Sequence, residues 1–284
     1  MSQCLCKFTT SGSSEFQSMP TEHGQHSRKD LGMHNIEMHE MTEAFFPCWK
    51  AAYIHLNKQV DGEIQSWLRA HPYPPFLEHL SFRLGNQLFF VRIEDVDDKA
   101  LGPGTIRGLA AAAKDANGHA CILPMKKKLF GGTWVADMPG WGLLNAETRK
   151  PIDPVSLVTE QKIEMSPWET HDMAVQVVRD YLQKEGFELM SSQGNPKVDP
   201  SIWFVGKTRR PEWVVVRSTK FPASNADRPT NWVAIADSCE KLSSIGYFAS
   251  VAVVSVNQPF ASSEEAPVPL WRGHGMHVRF DGLE

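Results

Sequence analysis

The stretch EWVVVRSTK, residues 212–220, decides how the chain is read. An unbroken apolar run from Trp213 to the valines before Arg217 fits a strand buried on both faces, and the polar residues after it mark its exit. The stretch also poses a functional question, because it holds a glutamate, an arginine and a lysine in the pattern of a strand-borne catalytic site.

A second stretch upstream has the same form. FRLGNQLFFVRIED (82–95) and WFVGKTRRPEWVVVRST (203–219) each run through an apolar strand to a glycine, a polar turn, and an apolar run closed by Val-Arg. Gly85 matches Gly206 and Arg92 matches Arg217, the second turn being longer by four residues. The flanking segments match too. Residues 105–117 place Ile106, Leu109, Ala110, Ala113 and Ala116 on one helical stripe stopped by Gly118. Residues 230–245 do the same with Trp232, Ile235, Ala236, Cys239 and Leu242, stopped by Gly246. Apolar strands follow, HACILPM and YFASVAVVSV, and then a Trp with a Gly-rich strand in each copy.

A helix precedes each block. Ser166 to Glu169 form a capping box with Pro167 at the first helical position. Ala174, Val177, Val178, Tyr181 and Leu182 supply its buried face and Gly186 its stop. The counterpart in the first copy is expected over 61–70, with Ile64, Trp67 and Leu68 facing inward. With the short strand FELM, the order is αβββαβ. The expected fold class is therefore α+β with α/β-like layers: two similar domains, 42–155 and 160–284, each a mixed sheet flanked by helices. A proline-rich linker joins them, and residues 1–41, rich in Ser, Gln, His and Met, form a flexible leader.

Totals narrow the function. Hydrophobic residues make up 42% of 284, enough for a sizeable core, and no window approaches eighteen apolar residues. The start MSQCLCKFTTSG has no apolar signal core, and the five cysteines are odd in number and scattered. A reducing cytoplasm is expected. Net charge is −4 with a pI of about 6.3, which lacks the basic footprint of a dedicated DNA binder. Lys126, Lys127 and Lys128 form the densest basic cluster and read as a solvated strand end. Neither GxxxxGK[ST], GxGxxG, paired CxxC nor GxSxG occurs, which disfavours NTPase, kinase, Rossmann, structural-zinc and α/β-hydrolase readings. His23, His26, His34 and His39 have no ligand spacing, and His274 and His277 fall on opposite faces of a strand. Cys48 and His55 pair as nucleophile and base by composition alone.

The second copy, over about 167–256, resembles the core of the PD-(D/E)xK, or restriction-endonuclease-like, superfamily; the first copy resembles it more loosely over 62–125. That resemblance implies an acid at the start of the second strand, an acid-x-lysine on the third, and Mg²⁺ held between the carboxylates. Asp199, in VDPSIWF, matches the first acid, and counting back from the aligned glycines gives Glu78, in FLEHLSF, the same place. Both are candidate metal ligands. Arg217 and Arg92 stand where the lysine is expected, and Val215 and Phe90 where the second acid is expected. Arginine keeps the charge but is a poor proton acceptor.

A relocated acid is the remaining route to a metal site. Glu94 shares a strand face with Arg92, whereas Asp95 points away. In the second copy Glu212 and Lys220 have the wrong parity with Arg217, leaving Asp237 or Glu240 on the following helix. The arginines also fit as sheet-end caps or as structural ion pairs with Glu78 and Asp199. The expectation is a non-catalytic binding protein of immunity or adaptor type without a cofactor. Its partner is a protein ahead of nucleic acid, and not a membrane. The competing reading is a Mg²⁺-dependent nuclease using Asp199 with Arg217, or Glu78 with Arg92 and Glu94. A secretion-chaperone-like protein-binding unit is the third.

Overall fold

Both apolar runs become central strands in the computed structural model, which describes residues 41–60, 66–69, 79–258 and 266–284. In the first half β1 (Ser66–Arg69), β2 (Leu80–Leu84), β3 (Gln87–Asp95), β4 (His119–Lys127), β6 (Leu143–Asn145) and β7 (Pro151–Ile152) lie side by side in that order; β5 (Trp134–Ala136) pairs with the end of β4. In the second half the order is β8 (Glu188–Ser192), β9 (Ile202–Val205), β10 (Pro211–Lys220), β11 (Gly246–Ser255) and β12 (Met276–Phe280). Among the described residues one pair in each sheet is parallel, β3 with β4 and β10 with β11, and the other pairs are antiparallel. A parallel pair requires a crossover. Helices α2 (Ile106–Asp115) and α4 (Trp232–Cys239) supply it. The class is α+β, with two mixed sheets in αβββαβ order.

Each sheet is covered on both faces. Helix α1 (Phe45–Val60) turns Phe45, Cys48, Trp49, Ala52 and Leu56 onto Phe89, Val91 and Ile93 of β3. On the opposite face Leu88 and Phe90 meet Leu109, Ala113 and Ala116 of α2. In the second half α3 (Pro167–Lys184) lays Ala174, Val175, Val178 and Leu182 on Val214 and Val216, while Trp213 and Val215 meet Ile235 and Cys239 of α4. Burying such a side chain contributes about 1.5–3 kcal/mol. The parallel register aligns the halves: Phe89 stands beside His119 and Val214 beside Tyr247, the residues that follow Gly118 and Gly246, so Leu88 corresponds to Trp213 and Arg92 to Arg217.

Several sequence expectations change. The first helix runs over Phe45–Val60 rather than 61–70, and Trp67 and Leu68 belong to strand β1, antiparallel to β2. Apolar residues at helical spacing over less than two turns are too few to hold a helix, and the edge of β2 offers Trp67 and Leu68 a ladder of backbone hydrogen bonds; Ile64 lies outside the described residues. Helix α4 ends at Cys239, so Leu242 is left 47% exposed, and on α2 Ile106 and Ala110 face outward. The proline-rich linker is partly regular, with β7, a 3-10 turn at Val155–Leu157 and a bridge between Glu164 and Trp271. Residues 1–40 of the leader lie outside the described residues.

Gly246 shows how closely the parallel pair fits. A Cβ there would stand 2.0 Å from the Trp213 ring, whose Nε1 donates to the Ser243 carbonyl at 3.1 Å. The backbone conformation is ordinary, so the cost of a side chain is steric. Gly246→Ala is expected to lower stability by about 1–3 kcal/mol, read as a shift of the urea midpoint at constant slope.

Candidate functional site

Arg217 leaves β10 on the α4 face and forks onto both oxygens of Asp199, Nη1 to Oδ1 at 2.9 Å and Nη2 to Oδ2 at 2.6 Å. Nη1 also donates to the Val216 carbonyl at 2.9 Å. The pair is mostly buried, with the arginine side chain 23% and the aspartate 14% exposed. Planar bidentate geometry makes such pairs strong and fixes their orientation.

His171, in the first turns of α3, lies in the field of this pair. It is 3% exposed and its Nε2 makes no hydrogen bond among the described residues. Burial pushes its pKa down to about 4; the Arg217 charge adds to the fall and the Asp199 charge opposes it. The imidazole is therefore neutral at pH 7. Beside it Asp172 Oδ2 accepts from Gln176 Nε2 at 2.9 Å, and a Cβ on Gly194 would fall 1.8 Å from Oδ1. The start of α3 thus packs directly on the β8–β9 connection that carries Asp199.

The first half is built differently. Arg92 donates to the carbonyls of Pro103 (3.3 Å) and Gly104, capping the loop that enters α2. Glu94 shares its face, at 3.8 Å, but its other oxygen accepts from Arg149 Nη1 at 2.8 Å. Asp95 points the opposite way, as its parity requires, and accepts from the amides of Asp97 and Lys99 at 3.0 Å and Ala100 at 2.9 Å. Glu78 lies outside the described residues.

Strand pairing gives a count independent of the glycines. Arg83 stands opposite Leu88 and Trp203 opposite Trp213, so the second hairpin is one residue pair longer than the first. On that count Ser81 and Ser201, both buried, coincide, and the position of Asp199 falls to His79 rather than Glu78. The His79 ring packs on Phe90 at 5.2 Å.

These donor sets do not fit Mg²⁺. Both Asp199 oxygens are held by a fixed guanidinium, the second-acid positions carry Val215 and Phe90, and Asp237 and Glu240 lie on the exposed side of α4. Among the described residues no group of three or more His, Cys, Asp or Glu could hold a metal ion. The other polar members of EWVVVRSTK serve the framework. Glu212 accepts from Tyr247 Oη at 3.1 Å and Thr208 Oγ1 at 3.4 Å, while Lys220 pairs with Glu164 at 3.3 Å on the face opposite Arg217. Cys48 is no nucleophile: burial, with the Asp95 charge adding to it, pushes its thiol up to about 12. His55 Nε2 is engaged with the Trp141 carbonyl at 3.0 Å.

The most heavily invested polar cluster was not legible in the sequence. Arg272, 4% exposed, binds Glu169 in a fork, Nε to Oε1 at 2.7 Å and Nη2 to Oε2 at 2.9 Å. It also donates to the carbonyls of Ala116, Asn117 (3.0 Å) and Asn86 (3.4 Å) in the first half. Trp168 meets Phe90 edge-on at 4.9 Å across the same seam, and Lys197 pairs with Asp115 at 3.1 Å. Glu169 was readable only as a capping residue; an arginine between Trp271 and Gly273 gave no sign that it would be buried.

Fold and site together define an α+β protein of two αβββαβ units whose Arg92 and Arg217 are both engaged internally. A family described as Domain of unknown function (DUF8840) matches residues 168–284, starting in the first turn of α3 and covering the second unit. No curated protein and no solved structure matches the chain. No helix among the described residues is long and apolar enough to cross a membrane.

Proposed function

We propose that the chain is a non-catalytic protein-binding module of immunity or adaptor type, on a duplicated restriction-endonuclease-like scaffold whose metal position has been closed. The fork of Arg217 on Asp199 carries this reading. Mg²⁺ needs carboxylate lone pairs at about 2.0–2.1 Å. Here they face a guanidinium that cannot be deprotonated, so an incoming cation meets a like charge as well as a lost ligand. Arginine cannot act as the base that the chemistry would require, and Glu94 is tied to Arg149. The net charge of −4 favours a protein over nucleic acid as partner, and a reducing cytoplasm suits buried free thiols.

The test is cleavage of plasmid DNA and of RNA with Mg²⁺ or Mn²⁺ by the wild type and Asp199→Ala. Neither protein is expected to cleave. The substitution is instead expected to lower stability by about 1.5–3 kcal/mol, the value of hydrogen bonds to a charged partner. Metal-dependent cleavage that disappears in Asp199→Ala overturns the proposal.

A further inference from the structure

We infer that the β4–β5 hairpin is a membrane-docking finger that seats on anionic lipid. The inference is independent of the Asp199–Arg217 reading. The hairpin closes with Lys128 N–H donating to the Thr133 carbonyl at 2.9 Å, and between them lie Leu129, Phe130, Gly131 and Gly132. Both glycines take the left-handed conformation, φ +85° and +62°. Leu129 is 97% exposed and Phe130 92% exposed, so the chain's own fold covers almost nothing of them. The other exposed large apolar side chains described in the first half, such as Val96 and Leu101, are no more than 49% exposed, so an adjacent leucine and phenylalanine left almost wholly bare at a turn call for an external apolar phase.

The charges beside the tip say which phase. Lys126 pairs with Asp137 at 2.9 Å and is locally neutralised. Lys127 and Lys128 are exposed, and the Lys127 stem runs alongside Gly132, with Cε 3.5 Å from where a Cβ would be, which carries its ammonium toward the tip. An apolar point with a basic collar matches the boundary of an anionic bilayer, where apolar side chains enter about 5–10 Å and lysines meet the headgroups. Area argues the same way. The two side chains offer on the order of 300 Å², whereas a stable protein interface takes roughly 800 Å² from each partner. A bilayer needs no complementary pocket. The overall charge of −4 does not oppose this, because screening at physiological salt cuts off the rest of the surface beyond about 8 Å.

Cosedimentation of the full chain with phosphatidylcholine vesicles, with and without phosphatidylserine, tests the inference. Binding is expected to the phosphatidylserine vesicles and to weaken as salt is raised. Lys127→Gln with Lys128→Gln should reduce it about 25-fold, at about fivefold per lysine near the surface. Leu129→Ser with Phe130→Ser should reduce it at least tenfold. All four side chains are exposed, so unchanged thermal midpoints confirm that the variants fold. Failure to bind phosphatidylserine vesicles, or binding indifferent to both pairs of substitutions, overturns the inference. Retention on immobilised polyglutamate through Lys127 and Lys128, without vesicle binding, overturns it in favour of an acidic protein partner.

Discussion

Arg272→Ala is expected to destabilise the protein by about 3–5 kcal/mol, the cost of removing one member of a buried ion pair. The loss has two sources. Glu169 keeps one hydrogen bond, from the Ser166 amide at 2.9 Å, but loses the guanidinium that balances its buried charge. The carbonyls of Ala116 and Asn117, at the end of α2, lose the donor that satisfies them, and an unsatisfied buried acceptor costs about 1–3 kcal/mol. Because these groups belong to different halves, the substitution also loosens the seam. Urea unfolding followed by near-ultraviolet circular dichroism should show an earlier midpoint. Arg272→Met combined with Glu169→Met should recover the part of the loss that comes from the unbalanced Glu169 charge, but not the part that comes from the Ala116 and Asn117 carbonyls and the Ser166 amide, which stay without their partners. A wild-type midpoint for Arg272→Ala would remove the pair from its place at the seam.

The fold was more legible than the site, for a physical reason. Strand and helix signals are local: the apolar runs around Val91 and Val215, the capping box at Ser166 and the glycines at 118 and 246 each fix their own surroundings. The correspondence of Arg92 with Arg217 is local too, because each closes an apolar run that leads from its own strand into its parallel partner. Glu78 was paired with Asp199 by counting from Gly85 and Gly206, and that count misses the extra residue pair in the second hairpin. Hairpin length is set by pairing across strands, which one strand's sequence does not carry. The burial of Arg272 is less local still, since its partners lie 103 to 186 residues away. Composition likewise averages over the chain, so a net charge of −4 conceals the lysines that collar Phe130.

His171 gives the second large effect, read as a pH dependence. Its pKa is about 4 in the folded protein and about 6.5 when the chain is unfolded. Between those values the unfolded chain holds a proton that the folded protein does not, so acid favours unfolding. The contribution is fully present above about pH 6.5, is lost as pH falls toward 4, and is exhausted below that. A difference of about 2.5 units corresponds to about 3 kcal/mol. Other groups titrate in the same range, so the test is a comparison. Stability measured by urea unfolding from pH 7 to pH 4 should fall more steeply for the wild type than for His171→Gln, by about 3 kcal/mol over the window. Arg217→Gln removes the charge that reinforces burial and should narrow the window by raising the folded pKa; Asp199→Asn removes the opposing charge and should widen it. Parallel curves for the wild type and His171→Gln would show that the imidazole accepts its proton in the folded state, which a site buried beside Arg217 does not allow.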